Sequence, residues 1–386
     1  MKNRITLFSL FLGQGLTNAI ISLLTLTSIF VGKNLSPTPE LISLPITTTI
    51  LGNCIMVFFA GNLMEKYGRK ISFVISGWVA FLGAIIGIIS LYVNSFLLFL
   101  ISTFVLGNAL GFSQYYRFAA GEITDDKVGK KKATSIVISG GILGGIFGPY
   151  LAQKGELLIA GFPFLGNFIF ALIIAVLIVI SQRFVFLSSK VKQIINTSER
   201  KELILFNNHT FILATLTCSI SFSLMVLIMN AAPLSLHHHY PNENNVIMIQ
   251  LHFVSMYLPS LFLPFLITNI KTANILLLGI LFFLIGSLSA IFSNNYFSYL
   301  LPLIFSGLGW AFMFNAGTYY LNEIVENKYK IQKVSTIITY LCNLASSFSV
   351  GLFLMYDRGW ILINVIVIIM TLLFFILWLK YRPIVK

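Results

Sequence analysis

Charged residues are scarce in this chain. They make up 10% of its 386 residues, whereas soluble domains have about a quarter, and 57% of the residues are hydrophobic. This composition excludes a soluble domain of appreciable size. The chain also has only three cysteines, and lone cysteines in apolar helices are usually inert packing residues.

Acidic residues are scarcer than basic ones, with 12 Asp and Glu against 25 Lys and Arg. All 12 fall in predicted loops or at the ends of predicted spans. The sequence therefore lacks the membrane-embedded carboxylate that carries protons in many pumps. It also lacks a glycine-rich nucleotide-binding loop, which argues against a mechanism driven directly by a nucleotide.

The chain is instead rich in apolar runs of about 20 residues, the length that crosses the hydrocarbon core of a bilayer. These runs predict an all-α integral membrane protein with twelve transmembrane helices. The predicted spans lie near residues 5–31, 41–62, 72–92, 96–121, 134–152, 161–185, 209–235, 246–268, 275–293, 296–321, 334–356 and 360–380.

Basic residues set the predicted orientation. With both termini in the cytoplasm, 21 of the 25 Lys and Arg lie in cytoplasmic segments, three lie outside and Arg117 lies within a span. This is the positive-inside pattern, so the net charge of +13 indicates membrane topology and not nucleic-acid binding. We expect a monomer in the lipid bilayer of a bacterial inner membrane.

A polar stretch divides the spans into two groups of six. We predict an N-terminal six-helix bundle at 1–186, a cytoplasmic linker at 187–208 and a C-terminal six-helix bundle at 209–386. Two such halves are typical of secondary transporters that rock about a site near the middle of the membrane.

The loop between spans 2 and 3 reads GNLMEKYGRK, from Gly61 to Lys70. It resembles the loop signature of the major facilitator superfamily, G-x-L-x-D-R-x-G-R-R/K, with Glu65 in place of Asp. Gly61 and Gly68 permit a tight turn, and Glu65, Arg69 and Lys70 can bond helix ends and one another. The resemblance implies the twelve-helix major facilitator fold and a gating role for these residues. An ordinary positive-inside loop is the alternative.

Arg117 is the one charge within a predicted span. Glu122 lies five residues further on, about 140° around a helix, so one face need not carry both. We expect Glu122 to meet the basic residues of the loop and Arg117 to act in gating. Anion binding by Arg117 is the alternative.

Span 5 contains Gly140, Gly144, Gly148 and Pro149, which resemble a signature of proton-coupled drug exporters. Glycines four residues apart also let helices approach closely, and helix packing is a sufficient role for them. Many proton-coupled relatives have an arginine in span 4, where this chain has Thr103. Drug export is therefore the least favoured of the transport hypotheses.

Two pairs of side chains suggest a metal site. Met225 and Met229 in span 7, and His252 and Met256 in span 8, are each spaced i, i+4 and so share a helix face. Thioethers and imidazole suit a soft ion such as Cu(I) better than Mg²⁺ or Ca²⁺. Met248, one turn from His252, is a candidate for metal entry from the outside.

The four residues have matched depths in the predicted hairpin. Met229 and His252 each lie about 9 Å inside the boundary, and Met225 and Met256 about 15 Å. This predicts one Met/His rung and one Met/Met rung. Methionine also fills gaps in apolar cores, and His252 is alternatively a proton carrier for an importer of organic solutes.

Three segments resemble the CcoA-like branch of the major facilitator superfamily. They are Ile228 to Leu234, the run from Gln250 to Ser260 and the run from Tyr116 to Ala120. The branch includes bacterial copper importers that supply cbb3-type cytochrome c oxidase assembly. The resemblance implies that Met225, Met229, His252 and Met256 are copper ligands. The branch also includes riboflavin transporters.

The sequence thus predicts a secondary transporter that imports copper by alternating access and passes it to a cytoplasmic or membrane acceptor. Copper is a substrate here, and no permanently bound cofactor and no enzymatic activity are expected. Import of riboflavin or a similar small organic solute is the alternative. Trp310, Tyr319, Tyr320, Asn315 and Asn343 are further candidates for lining a cavity.

Overall fold

A computed structural model describes residues 2–38, 41–42, 44–187, 208–239, 245–292, 295–324, 328–356 and 358–381. Residues 188–207 of the predicted linker lie outside this part of the chain. Every regular element within it is a helix, as the composition predicts. The helices are α1 (Lys2–Leu35), α2 (Leu44–Tyr92), α3 (Phe96–Ser113), α4 (Tyr116–Ala120), α5 (Lys127–Ser139), α6 (Gly141–Glu156), α7 (Leu165–Gln182), α8 (His209–His239), α9 (Asn245–Leu266), α10 (Thr272–Phe292), α11 (Phe297–Glu323), α12 (Lys328–Leu354) and α13 (Gly359–Tyr381).

Eleven helical segments in the described residues are long and apolar enough to cross a membrane. One of them, α2, has 49 residues, and Gly68 within it has non-helical dihedral angles of φ 81° and ψ 165°. At 1.5 Å per residue α2 is about 73 Å long, enough for two crossings of a 30 Å hydrocarbon core. The eleven segments therefore accommodate the twelve predicted spans, and the all-α membrane fold is confirmed.

Gly68 also explains a difference from the prediction. The run 61–70 was expected to be a loop, but its residues are helical on both sides of Gly68. A positive φ of this size is costly for a residue with a Cβ and accessible to glycine. One glycine is thus sufficient to separate two helices that otherwise continue into each other.

The chain divides into two compact units, residues 1–124 with 136–191 and residues 125–135 with 192–386. The first turns of α5 therefore belong to the second unit, unlike in the predicted halves. Polar contacts account for this, because Lys131 Nζ lies 3.0 Å from Glu323 Oε1 and 2.8 Å from Thr272 Oγ1. Asn322 Nδ2 also donates to Thr134 Oγ1 at 3.0 Å.

In the first unit, small residues bring α1 close to α6 and to Gly140, which directly precedes α6. A Cβ at Gly140, Gly144 or Gly148 would overlap atoms of α1, at Phe11, Asn18 and Ser22 respectively. Close approach of backbones at small residues is a common way to pack helices in membranes. Pro149 is buried within α6 beside the last of these glycines.

In the second unit, α11 packs along both α8 and α9. A Cβ at Gly307 would overlap Ser255 Oγ and lie 3.0 Å from the carbonyl oxygen of His252, on α9. On another part of α11, a Cβ at Gly317 would lie 2.7 Å from Cys218 Sγ, on α8. Glycines on α11 therefore let it approach both neighbours closely.

The close contact at Gly307 gives a test of this packing. We expect Gly307→Val to destabilise the protein by about 1–3 kcal/mol, because the added methyl groups would displace the backbone of α9. No heavy atom of the described residues lies within 4 Å of a Cβ built at Gly351 on α12, so Gly351→Val is a matched control. Thermal unfolding of the purified variants in detergent measures the difference. Equal melting temperatures for the two variants would contradict the assigned contact.

Candidate functional site

The residues predicted to bind a metal all lie in the second unit. Met225 and Met229 are on α8, and Met248, His252 and Met256 are on α9. Met229 is half-buried, and the other four side chains are buried. None of the five is exposed on the outer surface of the bundle.

The helices that carry these residues do not form the predicted face-to-face hairpin. Only a few residues of α8 and α9 approach one another, and each helix packs mainly along α11 or another neighbour. Helices α9 and α11 run parallel, as shown by His252 Nδ1 at 2.7 Å from the Leu303 oxygen and Asn315 Nδ2 at 2.8 Å from Ser260 Oγ. The i, i+4 spacing determines which residues share a helix face. In the structure α11 packs against both α8 and α9, so those faces are not paired with each other as the hairpin predicted.

His252 has a defined hydrogen-bonding arrangement. Because a carbonyl oxygen only accepts hydrogen bonds, Nδ1 carries the proton that is donated to Leu303. Nε2 is buried and has no hydrogen-bonding partner among the described residues. A neutral imidazole in this tautomer has a lone pair on Nε2 that can accept a hydrogen bond or bind a metal ion.

The described residues contain no group of three or more His, Cys, Asp or Glu side chains able to hold a metal ion. Cys218 is buried on α8 beside Gly317, and Cys342 is exposed on α12. A metal held at His252 would therefore need ligands other than such a group, and methionine sulfur is the candidate that the sequence predicts.

Five rings from four helices form an aromatic cluster, defined here as Phe222, Tyr257, Trp310, Phe314 and Tyr340. Trp310 stacks on Phe314 with a centroid separation of 4.7 Å and an interplanar angle of 20°. Tyr257 meets Trp310 edge-on at 5.6 Å. Phe222 lies 5.9 Å from Trp310, 5.7 Å from Phe314 and 5.7 Å from Tyr340. The cluster therefore joins α8, α9, α11 and α12.

Trp310 gives this cluster a polar group. Its side chain is 3% exposed, and its Nε1–H is buried without an acceptor among the described residues. A buried indole N–H normally finds a hydrogen-bonding partner. A flat solute with a ring acceptor would supply both the missing partner and a surface for stacking.

The sequence indicates only part of this cluster. Trp310 is one of four tryptophans in the chain, and it lies four residues before Phe314 on the same helix face. Phe222 is one of 36 phenylalanines, so nothing in the sequence distinguishes it. Tyr319 lies elsewhere on α11, within hydrogen-bonding distance of Ser135 Oγ.

The residues predicted to act in gating lie in the first unit. Arg69 follows the break at Gly68, and its Nη2 and Nε lie 2.6 Å and 3.2 Å from Glu122 Oε1. The side chains of this ion pair are 2% and 14% exposed. Glu122 thus meets a basic residue of the motif, as expected, whereas Glu65 and Lys70 are exposed. Lys70 Nζ lies 5.3 Å above the Phe186 ring.

Arg117 is also buried, and it lies five residues before Glu122 in the chain. The predicted span 96–121 is interrupted by a turn at 114–115, and Arg117 lies on the short helix α4 that follows. Its Nε lies 3.4 Å from the Gln114 oxygen, and its guanidinium carbon lies 4.4 Å above the Phe118 ring. Both of these contacts are with residues within three positions of Arg117 in the chain.

Sequence comparison adds the family and its members. The model of the Major Facilitator Superfamily matches residues 5–350. The riboflavin transporter RfnT of Brucella anthropi is 28% identical over 362 residues, which cover 92% of this chain and 90% of that protein. The uncharacterized MFS-type transporter YdeG of Bacillus subtilis is 26% identical over 332 residues, covering 81% and 76% respectively.

Solved structures give the same fold. The human organic anion transporter MFSD10 has a TM-score of 0.78 at 13% identity, over 97% of this chain and 99% of that one. A bacterial homologue of the iron transporter ferroportin, in an outward-facing state, has a TM-score of 0.74 at 15% identity, over 98% and 99%. At these identities the similarity concerns the fold alone.

Proposed function

Because the chain belongs to the major facilitator superfamily, it is a multi-pass membrane transporter, and we propose that it imports riboflavin or a similar small organic solute. Transport would be secondary and would proceed by alternating access of two six-helix halves. The similarity to RfnT along 92% of the chain supports this substrate over copper. We further propose the bacterial inner membrane with both termini in the cytoplasm, on the distribution of Lys and Arg.

The observation that carries this proposal is the aromatic cluster around Trp310. The isoalloxazine ring of riboflavin is flat and carries nitrogen and oxygen acceptors. Aromatic side chains bind such rings by stacking, with about 1–3 kcal/mol per stacked base in nucleic-acid complexes. Trp310 Nε1–H, which has no acceptor among the described residues, is a donor for one of the ring acceptors.

Growth and uptake assays test the proposal. A bacterial strain that cannot synthesise riboflavin and lacks its own importer would carry the transporter or an empty vector. We expect growth at a riboflavin concentration too low for the vector control, with saturable uptake of labelled riboflavin. No uptake above the vector, with the protein present in the membrane, would refute riboflavin as the substrate.

Copper is a second candidate, favoured by one observation. A backbone carbonyl fixes Nδ1 of His252, and the buried Nε2 has no partner in the part of the chain that the structure describes. This is the usual arrangement of a metal-binding histidine. Met225, Met229 and Met256 would then be the other ligands. In that case a cytoplasmic or membrane protein would accept the ion, for use in cbb3-type oxidase assembly.

The two candidates differ in what they require of methionine. We expect the double variant Met225→Leu, Met229→Leu to keep riboflavin uptake within about twofold of wild type, since Leu and Met have similar volume and polarity. Loss of the two thioethers would instead abolish copper uptake if they were ligands. Parallel uptake of labelled riboflavin and labelled copper measures both. Riboflavin uptake that collapses in the double variant would contradict a packing role for Met225 and Met229.

A further inference from the structure

Polar side chains line the contact between α8 and α12. Ser219 Oγ lies 3.2 Å from Thr339 Oγ1, and Asn230 Nδ2 donates to Ser347 Oγ at 3.0 Å. Residue numbers increase in the same direction on both helices from the first pair to the second, so α8 and α12 run parallel. We call this contact the polar seam. The two hydrogen-bonded pairs mark the limits of the polar seam as defined here.

Between the two closed pairs, the polar seam contains Ser223 on α8 and Asn343 on α12. Each lies four residues after a member of the Ser219–Thr339 pair, so both are one helical turn further along and at the same level. Ser223 Oγ and Asn343 Oδ1 are nevertheless buried without hydrogen-bonding partners among the described residues. Burial of these two polar atoms without partners costs free energy, which a ligand that supplies hydrogen bonds would recover.

The polar seam adjoins the aromatic cluster. Phe222 directly precedes Ser223, and its ring lies 5.7 Å from that of Tyr340, three residues before Asn343. Ser223 and Asn343 are only half-buried as residues, so rotation of their side chains can expose the orphaned atoms. A ligand on the aromatic cluster could therefore extend a polar chain to the polar seam.

We infer that Ser223 and Asn343 bind hydroxyl groups of a chain attached to the flat ring of the substrate. The substrate class is then a planar heterocycle with a polyhydroxylated chain, of which riboflavin, with its ribityl chain, is an example. Asn343 Oδ1 accepts a hydrogen bond from one hydroxyl group, and Ser223 Oγ donates to or accepts from another. This inference rests on the proposed function. It assigns the polyhydroxylated chain to Ser223 and Asn343, while the aromatic cluster binds the flat ring.

Lumichrome provides the test, because it has the alloxazine ring system without the ribityl chain. In cells carrying the wild-type transporter, we expect lumichrome to inhibit riboflavin uptake with an inhibition constant about 4- to 100-fold above the KM for riboflavin. This factor corresponds to the loss of two hydrogen bonds, each contributing about two- to tenfold. Ser223→Ala and Asn343→Leu should each raise the KM for riboflavin about three- to tenfold.

The same variants should leave inhibition by lumichrome within about twofold of wild type, which also shows that they are folded. Ser349→Ala is the matched control on α12, since its hydroxyl donates to the Ser346 oxygen of the same helix. If lumichrome and riboflavin bind wild type equally well, or if the variants weaken both alike, the inference is wrong while riboflavin transport stands. If wild type transports no riboflavin, both the inference and the proposed function are wrong. Should Asn343→Leu fail to reach the membrane, the inference is still tested by Ser223→Ala and by the comparison of lumichrome with riboflavin in the wild type.

Discussion

Trp310→Ala is expected to lower the kcat/KM for riboflavin uptake roughly 10- to 2,000-fold. The change removes the ring that contacts three other members of the aromatic cluster, together with its buried Nε1–H. Stacking of this kind contributes about 1–3 kcal/mol, and the hydrogen bond adds about 0.5–1.5 kcal/mol. Trp310→Phe should retain the stacking and lose only the hydrogen bond, so its effect should be about tenfold or less.

Trp78→Ala is the matched control for this experiment. Trp78 is 47% exposed on α2, in the other unit, and contacts Phe81 on the same helix. We expect its replacement to change uptake less than about twofold, as for an exposed residue outside the site. Initial uptake rates, normalised to the amount of each variant in the membrane, measure the difference. Equal effects of the two replacements on uptake would contradict a substrate-binding role for the aromatic cluster.

Arg69→Ala should have the second large effect. Glu122 would be left with a largely buried carboxylate that has lost its charged partner, and breaking such a pair costs about 3–5 kcal/mol. We expect a strong loss of thermal stability and of transport rate. Lys70→Ala is the control, since Lys70 is the next residue, carries the same charge and is exposed.

The double variant Arg69→Ala, Glu122→Ala separates charge from packing. Removal of both charges should restore part of the stability lost in Arg69→Ala, because the Glu122 carboxylate that lost the charge of Arg69 is then absent as well. Thermal unfolding of wild type, Arg69→Ala, Glu122→Ala and the double variant in detergent, with uptake in cells, provides the measurement. A double variant destabilised relative to wild type by the full sum of the two single-variant effects would contradict coupling between Arg69 and Glu122.

The sequence was sufficient to predict the fold, because its information lies in long apolar runs and in the placement of basic residues. Gly68 shows how local this information can be. Its position in the motif indicated a turn, and its positive φ is what separates the two halves of α2. The meeting of Glu122 with a basic residue of the motif also followed from the sequence, since both lie at predicted cytoplasmic ends of spans.

The candidate site was harder to predict, because periodicity gives the face of a helix and not its neighbour. Met225 and Met229 share a face, as do His252 and Met256, but α8 and α9 pack mainly with other helices. Gly307 lets α11 approach α9 closely, and Gly317 lets it approach α8. Neither residue stands out in the sequence among 28 glycines.

The aromatic cluster was harder still. It combines side chains from four helices that are up to 118 positions apart in the chain, between Phe222 and Tyr340. Orphaned polar atoms such as Trp310 Nε1, Ser223 Oγ and Asn343 Oδ1 are properties of the folded state. They become visible only when every neighbour is in place, so no sequence pattern could indicate them.

Transport by the purified protein in lipid vesicles tests the central claim most directly. Vesicles with the wild-type transporter, and protein-free vesicles, would be offered labelled riboflavin and labelled copper in parallel. We expect saturable entry of riboflavin, weakened by Trp310→Ala, and copper entry no faster than into protein-free vesicles. Saturable copper entry without riboflavin entry would contradict the proposed function and assign the site to His252 and its methionines.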